Sequence, residues 1–174
     1  MLSLLVRKGA GAQVPVAVRR QLRRWLGRAL VAAGCADATV CLSLSDDAEL
    51  HALNLQYADE DHATDVLSFA QQEAPAGFAP PSPTLLLGDI VISIETAERQ
   101  ARQHGHGLDA ELLHLAVHGL CHLLGYDHAT QSEERVMFTY EAQLRAEARG
   151  RRPVQPQRRP PRPRRRSPET ALPM

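Results

Sequence analysis

The sequence predicts an α+β fold, a single domain in which a small mixed β-sheet packs against helices. Three observations lead to this prediction. Short apolar segments that suit strands alternate with helical segments in the first half of the chain. A run of helical segments then fills the second half. The length of 174 residues is enough for one domain with a substantial core.

The first elements are marked by apolar patterning and by turn residues. Residues 2–7 form a short apolar stretch that fits a strand. Pro15 begins an amphipathic helix that runs to about Ala33, and Gly34 ends it. Residues 39–44 alternate as a half-buried strand does.

The middle of the chain should complete the sheet. Ser45 can cap a helix whose first turn is acidic, and residues 65–69 fit a third strand. The Pro-rich run at 74–83 predicts a surface loop. The most apolar strand is expected at 85–93, in the centre of the sheet.

Three helices are expected in the second half, at about 93–104, 109–124 and 131–148. Thr130 and Glu133 form the sequence pattern of a capping box at the start of the last one.

The net charge of zero is the sum of two regions of opposite net charge. Residues 149–174 hold nine arginines against one acid, a net charge of +8, which leaves −8 for residues 1–148. The C-terminal region also contains seven of the twelve prolines and few residues to bury. We therefore expect a folded domain at 1–148 and a disordered Arg/Pro-rich tail at 149–174, either a solvated extension or an electrostatic arm for nucleic acid.

The three cysteines, Cys35, Cys41 and Cys121, lack the paired spacing of a disulfide framework or a C-x-x-C site. No secretory signal is visible, and no apolar run is long enough to span a membrane. The sequence thus predicts a soluble, cytoplasmic protein without a membrane partner.

The most informative motif contains three histidines, His118, His122 and His128, spaced H-x3-H-x5-H. Residues four apart share one helix face, so the first two can bind one ion. Gly125 can end the helix and let the chain bring the third histidine back. Three neutral imidazoles suit a zinc ion with one open position, as in catalytic sites.

The surroundings of the motif support a metal site, although a buried polar network is the alternative. The helix is apolar almost all round, except for a narrow stripe that includes Glu111, His114, His118 and His122. Buried polar groups need partners, and a metal ion would be one. His114 fits a residue that supports the site better than it fits a ligand.

The spacing matches the zinc-protease pattern of the metzincins apart from one residue. Gly119 follows the first histidine where those proteases carry a glutamate general base. Three neutral ligands leave the zinc charge uncompensated, and the charge attracts anions, so a phosphodiester suits the site better than a peptide. Asp127 could orient a histidine or accept a proton, or it could only cap the turn.

The run from His118 to His128 resembles the signature of the YbeY family, bacterial rRNA maturation factors regarded as metal-dependent single-strand endoribonucleases. The segments Thr64-Asp65-Val66-Leu67-Ser68-Phe69 and Gly88-Asp89-Ile90-Val91-Ile92-Ser93 also match the family pattern. The resemblance covers roughly residues 35–145. It implies one zinc ion per chain on the three histidines, an α+β fold, and a role in 16S rRNA 3′-end processing and ribosome quality control.

Further site residues and partners are expected. Asp65, Ser68 and His114 are the residues expected to bind substrate, and Asp127 is the expected catalytic residue. The expected partners are rRNA precursors and ribosomal particles. One position departs from the pattern: Ala58 follows Tyr57 where family members commonly have an arginine thought to contact substrate.

Three functions follow from these observations. The first is a zinc-dependent endoribonuclease that acts on rRNA precursors. The alternative is a non-catalytic, zinc-containing RNA-binding factor for ribosome assembly, which the departure at Ala58 favours. The third is a zinc hydrolase of peptides or small amides, which Gly119 argues against.

Overall fold

The computed structural model describes residues 2–6, 14–71 and 86–150, and it confirms the α+β class. In chain order, the described elements are β1 (Leu2–Val6), α1 (Val16–Ala32), β2 (Thr39–Ser45), α2 (Asp47–Ala58), β3 (Val66–Ala70), β4 (Leu86–Ser93), α3 (Ile94–His104), α4 (Leu108–Leu123) and α5 (Gln131–Ala148). The predicted loop at 74–83 lies outside the described residues, as does the predicted tail beyond Gly150.

The four strands form one mixed sheet in the order β1-β2-β4-β3. The first three strands in this order are parallel, and β3 runs antiparallel to β4. Strand β4 lies inside the sheet, as its apolar sequence predicted. Gly88 is required at its start, because φ is +139° and a Cβ atom there would lie 2.1 Å from the carbonyl oxygen of Phe69.

Two predictions about β2 and the following helix are wrong in detail. The strand is more buried than predicted, because Ser43 and Ser45 are buried, and only Thr39 and Cys41 on the same side keep intermediate exposure. Ser45 does not cap α2, because it is still paired with Ser93 of β4. Asp46, the first residue beyond the ladder, accepts the Glu49 backbone N–H at 2.9 Å instead.

Helix α4 is the central helix of the fold. It packs against β3 and β4 and also contacts α1, α3 and α5. Its apolar residues are therefore buried on several sides. The fully buried ones include Leu112, Leu113, Ala116, Val117 and Leu120. The histidine motif thus begins on a helix that contacts both the sheet and three other helices.

Helix α5 packs against α1 and α4 and begins with the predicted capping box. The Thr130 side chain accepts the Glu133 backbone N–H, and the Glu133 carboxylate accepts the Thr130 backbone N–H at 3.0 Å. None of the helices in the described part of the chain has both the length and the apolar character needed to cross a membrane.

Candidate metal centre

The structure brings His118, His122 and His128 together at the C-terminal end of α4. One nitrogen from each ring lies within 4.8 Å of the other two. The Nε2 atoms of His118 and His122 are 3.2 Å apart, and the His128 ring centroid lies 5.7 and 5.2 Å from theirs. These three side chains form a group that could hold a metal ion.

The turn after α4 positions the third histidine. Gly125 adopts φ +87°, and its N–H donates to the His122 carbonyl at 2.9 Å. The N–H of Tyr126 reaches back to the Cys121 carbonyl at 3.0 Å, which completes a Schellman cap. The buried Tyr126 ring then packs on Tyr140 of α5, with ring centroids 4.8 Å apart. The chain is therefore turned back and fixed two residues before His128.

The three histidines fit a tetrahedral dication. Two nitrogens that each lie about 2.0–2.1 Å from one tetrahedral ion are about 3.3 Å apart, close to the separation of the two Nε2 atoms. Burial lowers the pKa of His122, and the neighbouring His118 and His128 lower it further. This favours the neutral imidazole, the form whose nitrogen lone pair can bind a metal.

Glu141 of α5 is part of this site, although the sequence analysis did not identify it. Its buried carboxylate lies 3.3 Å from His118 Nδ1 and 2.8 Å from His114 Nδ1. Burial alone would raise the pKa of Glu141. Hydrogen bonds from both histidines and the charge of Arg145 outweigh burial and lower the pKa to about 2. A carboxylate that receives the Nδ1–H of His118 leaves Nε2 of that ring available to a metal.

A model of the family described as endoribonuclease YbeY matches residues 9–149 of this chain. The chain belongs to the endoribonuclease YbeY family. The resemblance drawn from the histidine motif is therefore confirmed, and membership supports the predicted role as an endoribonuclease, an RNA hydrolase.

Curated relatives named Endoribonuclease YbeY agree with this assignment. The protein from Pelotomaculum thermopropionicum is 49% identical over 108 residues, which cover 62% of this chain and 70% of the relative. The protein from Picosynechococcus is 42% identical over 147 residues, covering 81% and 90% respectively. A solution structure of a Thermotoga maritima protein aligns with a TM-score of 0.58 at 26% identity, over 86% of this chain and 90% of that one.

Gly119 has a structural role in this member of the YbeY family. A Cβ atom at this position would lie 2.8 Å from both Ile90 Cγ2 and Ser68 Oγ, so any larger residue would require these side chains or the helix to shift. The Ser68 hydroxyl donates to the Gly119 carbonyl at 3.3 Å. The glutamate that the zinc proteases carry at this position would not fit here without such a shift.

The remaining predicted site residues occupy different surroundings. His114 lies beside the three histidines, in the Glu141 network, with Arg145 Nη1 2.9 Å from its Nδ1. The exposed Asp127 accepts the backbone N–H of the adjacent His128 at 2.8 Å, a local contact within the turn. Asp65 accepts from its neighbour Val66 at 2.8 Å and from Gln100 of α3 at 2.9 Å, so it fixes the start of β3.

Two further positions bear on the site. Ala58 is the exposed last residue of α2, and the adjacent Tyr57 packs edge-on against Phe69 of β3 with ring centroids 5.1 Å apart. Cys121 lies between two of the histidines in sequence but points into the core. Burial, followed by the charge of Glu141, raises the pKa of its thiol to about 12, so it does not supply a thiolate ligand.

Proposed function

We propose that this protein is a zinc-dependent endoribonuclease that cuts single-stranded RNA in the late maturation of the 3′ end of 16S rRNA and in ribosome quality control. Its site of action would be the cytoplasm, on rRNA precursors and ribosomal particles. The observation that carries the proposal is the three-histidine group, supported by Glu141, in a chain of the endoribonuclease YbeY family.

In this proposal, His118, His122 and His128 hold the zinc ion. Their neutral side chains would leave it a full positive charge, so the ion would supply Lewis acidity and attraction for a phosphodiester. Glu141 keeps the His118 ring in one orientation and in one tautomer. The lowered pKa of His122 keeps its ring neutral near pH 7.

Other residues would position RNA and move a proton. Asp127 is exposed next to His128, and it is the proposed proton acceptor. Ser68 of β3 and His114 of α4 are half-buried, and Asp65 lies directly before β3. We assign these three residues to substrate binding. Asp65 would act indirectly, because it fixes the start of β3.

A second candidate function is a non-catalytic RNA-binding factor for ribosome assembly that keeps zinc for stability. The observation that favours it is the exposed Ala58, where the YbeY resemblance leads us to expect an arginine that contacts substrate. In that case the metal and the RNA affinity would remain without turnover.

The test is cleavage of two single-stranded RNAs, one that carries the 3′ precursor sequence of 16S rRNA and one unrelated. Purified protein, chelated protein and the His118→Ala/His122→Ala variant are compared, with His62→Ala as a control that removes an exposed histidine elsewhere. We expect zinc-dependent cleavage by wild type and the control only. RNA binding without cleavage would identify the assembly factor, and undiminished zinc in the double variant would overturn the ligand assignment.

A further inference from the structure

We propose that His104, His106 and Glu111 form a second metal-binding site, which takes a transition-metal dication such as Zn²⁺ and is separate from the three-histidine group. His104 ends α3, His106 lies in the connection to α4, and Glu111 belongs to the first turns of α4. One donor atom from each lies within 4.8 Å of the other two.

The geometry is centred on one carboxylate oxygen. Glu111 Oε2 lies 3.3 Å from His104 Nδ1 and 3.0 Å from His106 Nε2. Nitrogen and oxygen ligands of one tetrahedral zinc ion have similar separations, about 3.3 Å. The turn that brings the two histidines together is fixed, because Gly105 adopts φ +68° and the His106 N–H donates to the Ala101 carbonyl at 3.1 Å.

The burial of Glu111 favours a cation beside its carboxylate. His106 Nδ1 lies 3.3 Å from the Gly107 carbonyl, and either nitrogen of the neutral ring can carry the proton. With the proton on Nδ1, the Nε2 lone pair lies on the side of Glu111, where the ring and the carboxylate can hold a metal ion between them. A carboxylate only 1% exposed gains strongly from such a cation.

The donor set indicates which cation would bind. Two imidazoles and one carboxylate form a ligand set of zinc and of the other late first-row metals, whereas magnesium and calcium prefer oxygen ligands. The His104 and His106 side chains are 55% and 38% exposed, so an ion can enter from solvent and keep water in its remaining positions. A carbonyl partner for the second ring nitrogen, as His106 has, is typical of metal-binding histidines.

The two metal groups are distinct positions on the same helix. Glu111 and His118 are seven residues apart on α4, which corresponds to about 10 Å along the helix axis. This is too far for one two-metal centre, whose ions lie about 3.5–4 Å apart. An ion at the second site would connect the end of α3 to the start of α4, so it should stabilise that corner of the domain.

The experiment measures metal stoichiometry and thermal stability at pH 8, where free imidazole is neutral. Each protein is dialysed against excess Zn²⁺ and then against trace Zn²⁺. Wild type should then bind two ions per chain, whereas the His104→Gln/His106→Gln variant should bind one. The His118→Ala/His122→Ala variant should still bind one ion, with a zinc-dependent rise in Tm. Adding His104→Gln and His106→Gln to that variant should abolish both the bound ion and the Tm rise.

One control and one further variant isolate the site. His51→Gln/His62→Gln also removes two histidines that contact carboxylates, but they pair separately with Asp61 and Glu60, so it should keep both ions. Glu111→Gln should lose the second ion while leaving both histidines in place. If wild type binds a single ion, or if the His104→Gln/His106→Gln variant binds as much zinc as wild type, the second site does not exist. Loss of the ion in the His51→Gln/His62→Gln control would show non-specific histidine binding and would equally overturn it.

Discussion

The carboxylate of Glu141 connects two histidines of α4 to helix α5. It is buried, it is ionised at neutral pH because its pKa is about 2, and it faces the Nδ1 atoms of both His114 and His118. A charged acceptor on a ligand histidine strengthens the ring as a donor to a metal and fixes its direction. Glu141 is therefore a positioning residue for the proposed zinc site.

Substitution Glu141→Gln should weaken zinc binding about 10- to 100-fold, because the amide keeps the shape but removes the charge that orients His118. Zinc affinity is measured by competition with a chromophoric chelator, beside the Tm of the metal-free protein. Glu147→Gln, six residues further along α5, is the matched control and should bind zinc like wild type. Equal zinc affinity in wild type and Glu141→Gln would show that the contact has no role in metal binding.

Ala58 is the position at which the chain departs from the YbeY pattern. Substitution Ala58→Arg should raise the rate of RNA cleavage about tenfold, equivalent to about 1.4 kcal/mol, because it adds a cation where the family resemblance expects a substrate contact. Single-turnover cleavage of a labelled RNA measures the change. Gln56→Arg adds the same charge at another exposed position of α2. An equal gain in both variants would mean that only general charge attraction has changed.

At the scale of the elements, Asp47 joins the start of α2 to the start of α3. Its carboxylate accepts from the Ser93 hydroxyl, from Thr96 Oγ1 at 2.7 Å and from Arg99 Nη1 at 2.8 Å. Burial opposes ionisation of Asp47, but these hydrogen bonds and the charge of Arg99 outweigh it, and the pKa of Asp47 is lowered from 3.8. The contact therefore requires the ionised carboxylate.

Substitution Asp47→Asn should lower the free energy of unfolding at pH 7 by about 1–3 kcal/mol. Because the folded state lowers the pKa of Asp47, its stabilising effect is complete well above pH 3.8 and is lost as pH falls through the folded-state pKa. Thermal unfolding between pH 2 and 7 should thus show the wild type and variant converging in acid. Asp61→Asn, at an exposed carboxylate, is the control, and a pH-independent difference for Asp47→Asn would contradict this account.

The order of the elements could be predicted from the sequence, because hydrophobic periodicity and caps are local signals. The Gly125 turn and the Thr130–Glu133 capping box are of this kind, and both are present. Contacts between distant residues have no such signal. Glu141 reaches His118 across 23 positions of the chain, so no spacing within one helix could reveal it. The cap of α2 was misplaced by one residue, since the length of β2 depends on its pairing with β4.

The cluster of His104, His106 and Glu111 could be predicted from the sequence only in part. Glu111 belongs to the polar stripe that the sequence predicts on α4, but its two histidine partners lie before this helix begins. Only the turn at Gly105 brings them to it. The substrate-binding assignments of Asp65, Ser68 and His114 and the catalytic assignment of Asp127 remain predictions.

At the scale of the whole molecule, the uneven distribution of charge along the chain bears on RNA binding. A domain with a net charge of −8 repels RNA at long range, whereas the region from 149 to 174 carries +8. Each arginine that neutralises a phosphate releases counterions, so the C-terminal region should supply much of the RNA affinity and make it sensitive to salt.

Truncation after Gly150 removes eight arginines and should weaken RNA binding while leaving folding and zinc content unchanged. The log–log slope of affinity against salt should become shallower by about 0.7 for each lost phosphate contact on a single strand. Fluorescence anisotropy at several salt concentrations measures both quantities, and a variant with these eight arginines changed to lysine is the charge-matched control. Equal or tighter binding after truncation would mean that the region masks the acidic domain.

The buried thiol of Cys121 allows the transient opening of the central helix α4 to be measured kinetically. A thiol that is fully buried and has a pKa of about 12 can react with an alkylating reagent only when α4 transiently opens. Because Cys121 lies between His118 and His122, an ion that binds the closed form should slow its alkylation, while the half-buried Cys41 on β2 should react at nearly the same rate with or without zinc. Peptide mass spectrometry over time would thus report how often helix α4 opens in the native protein. If zinc does not change the alkylation rate of Cys121, the opening of α4 is not coupled to metal binding.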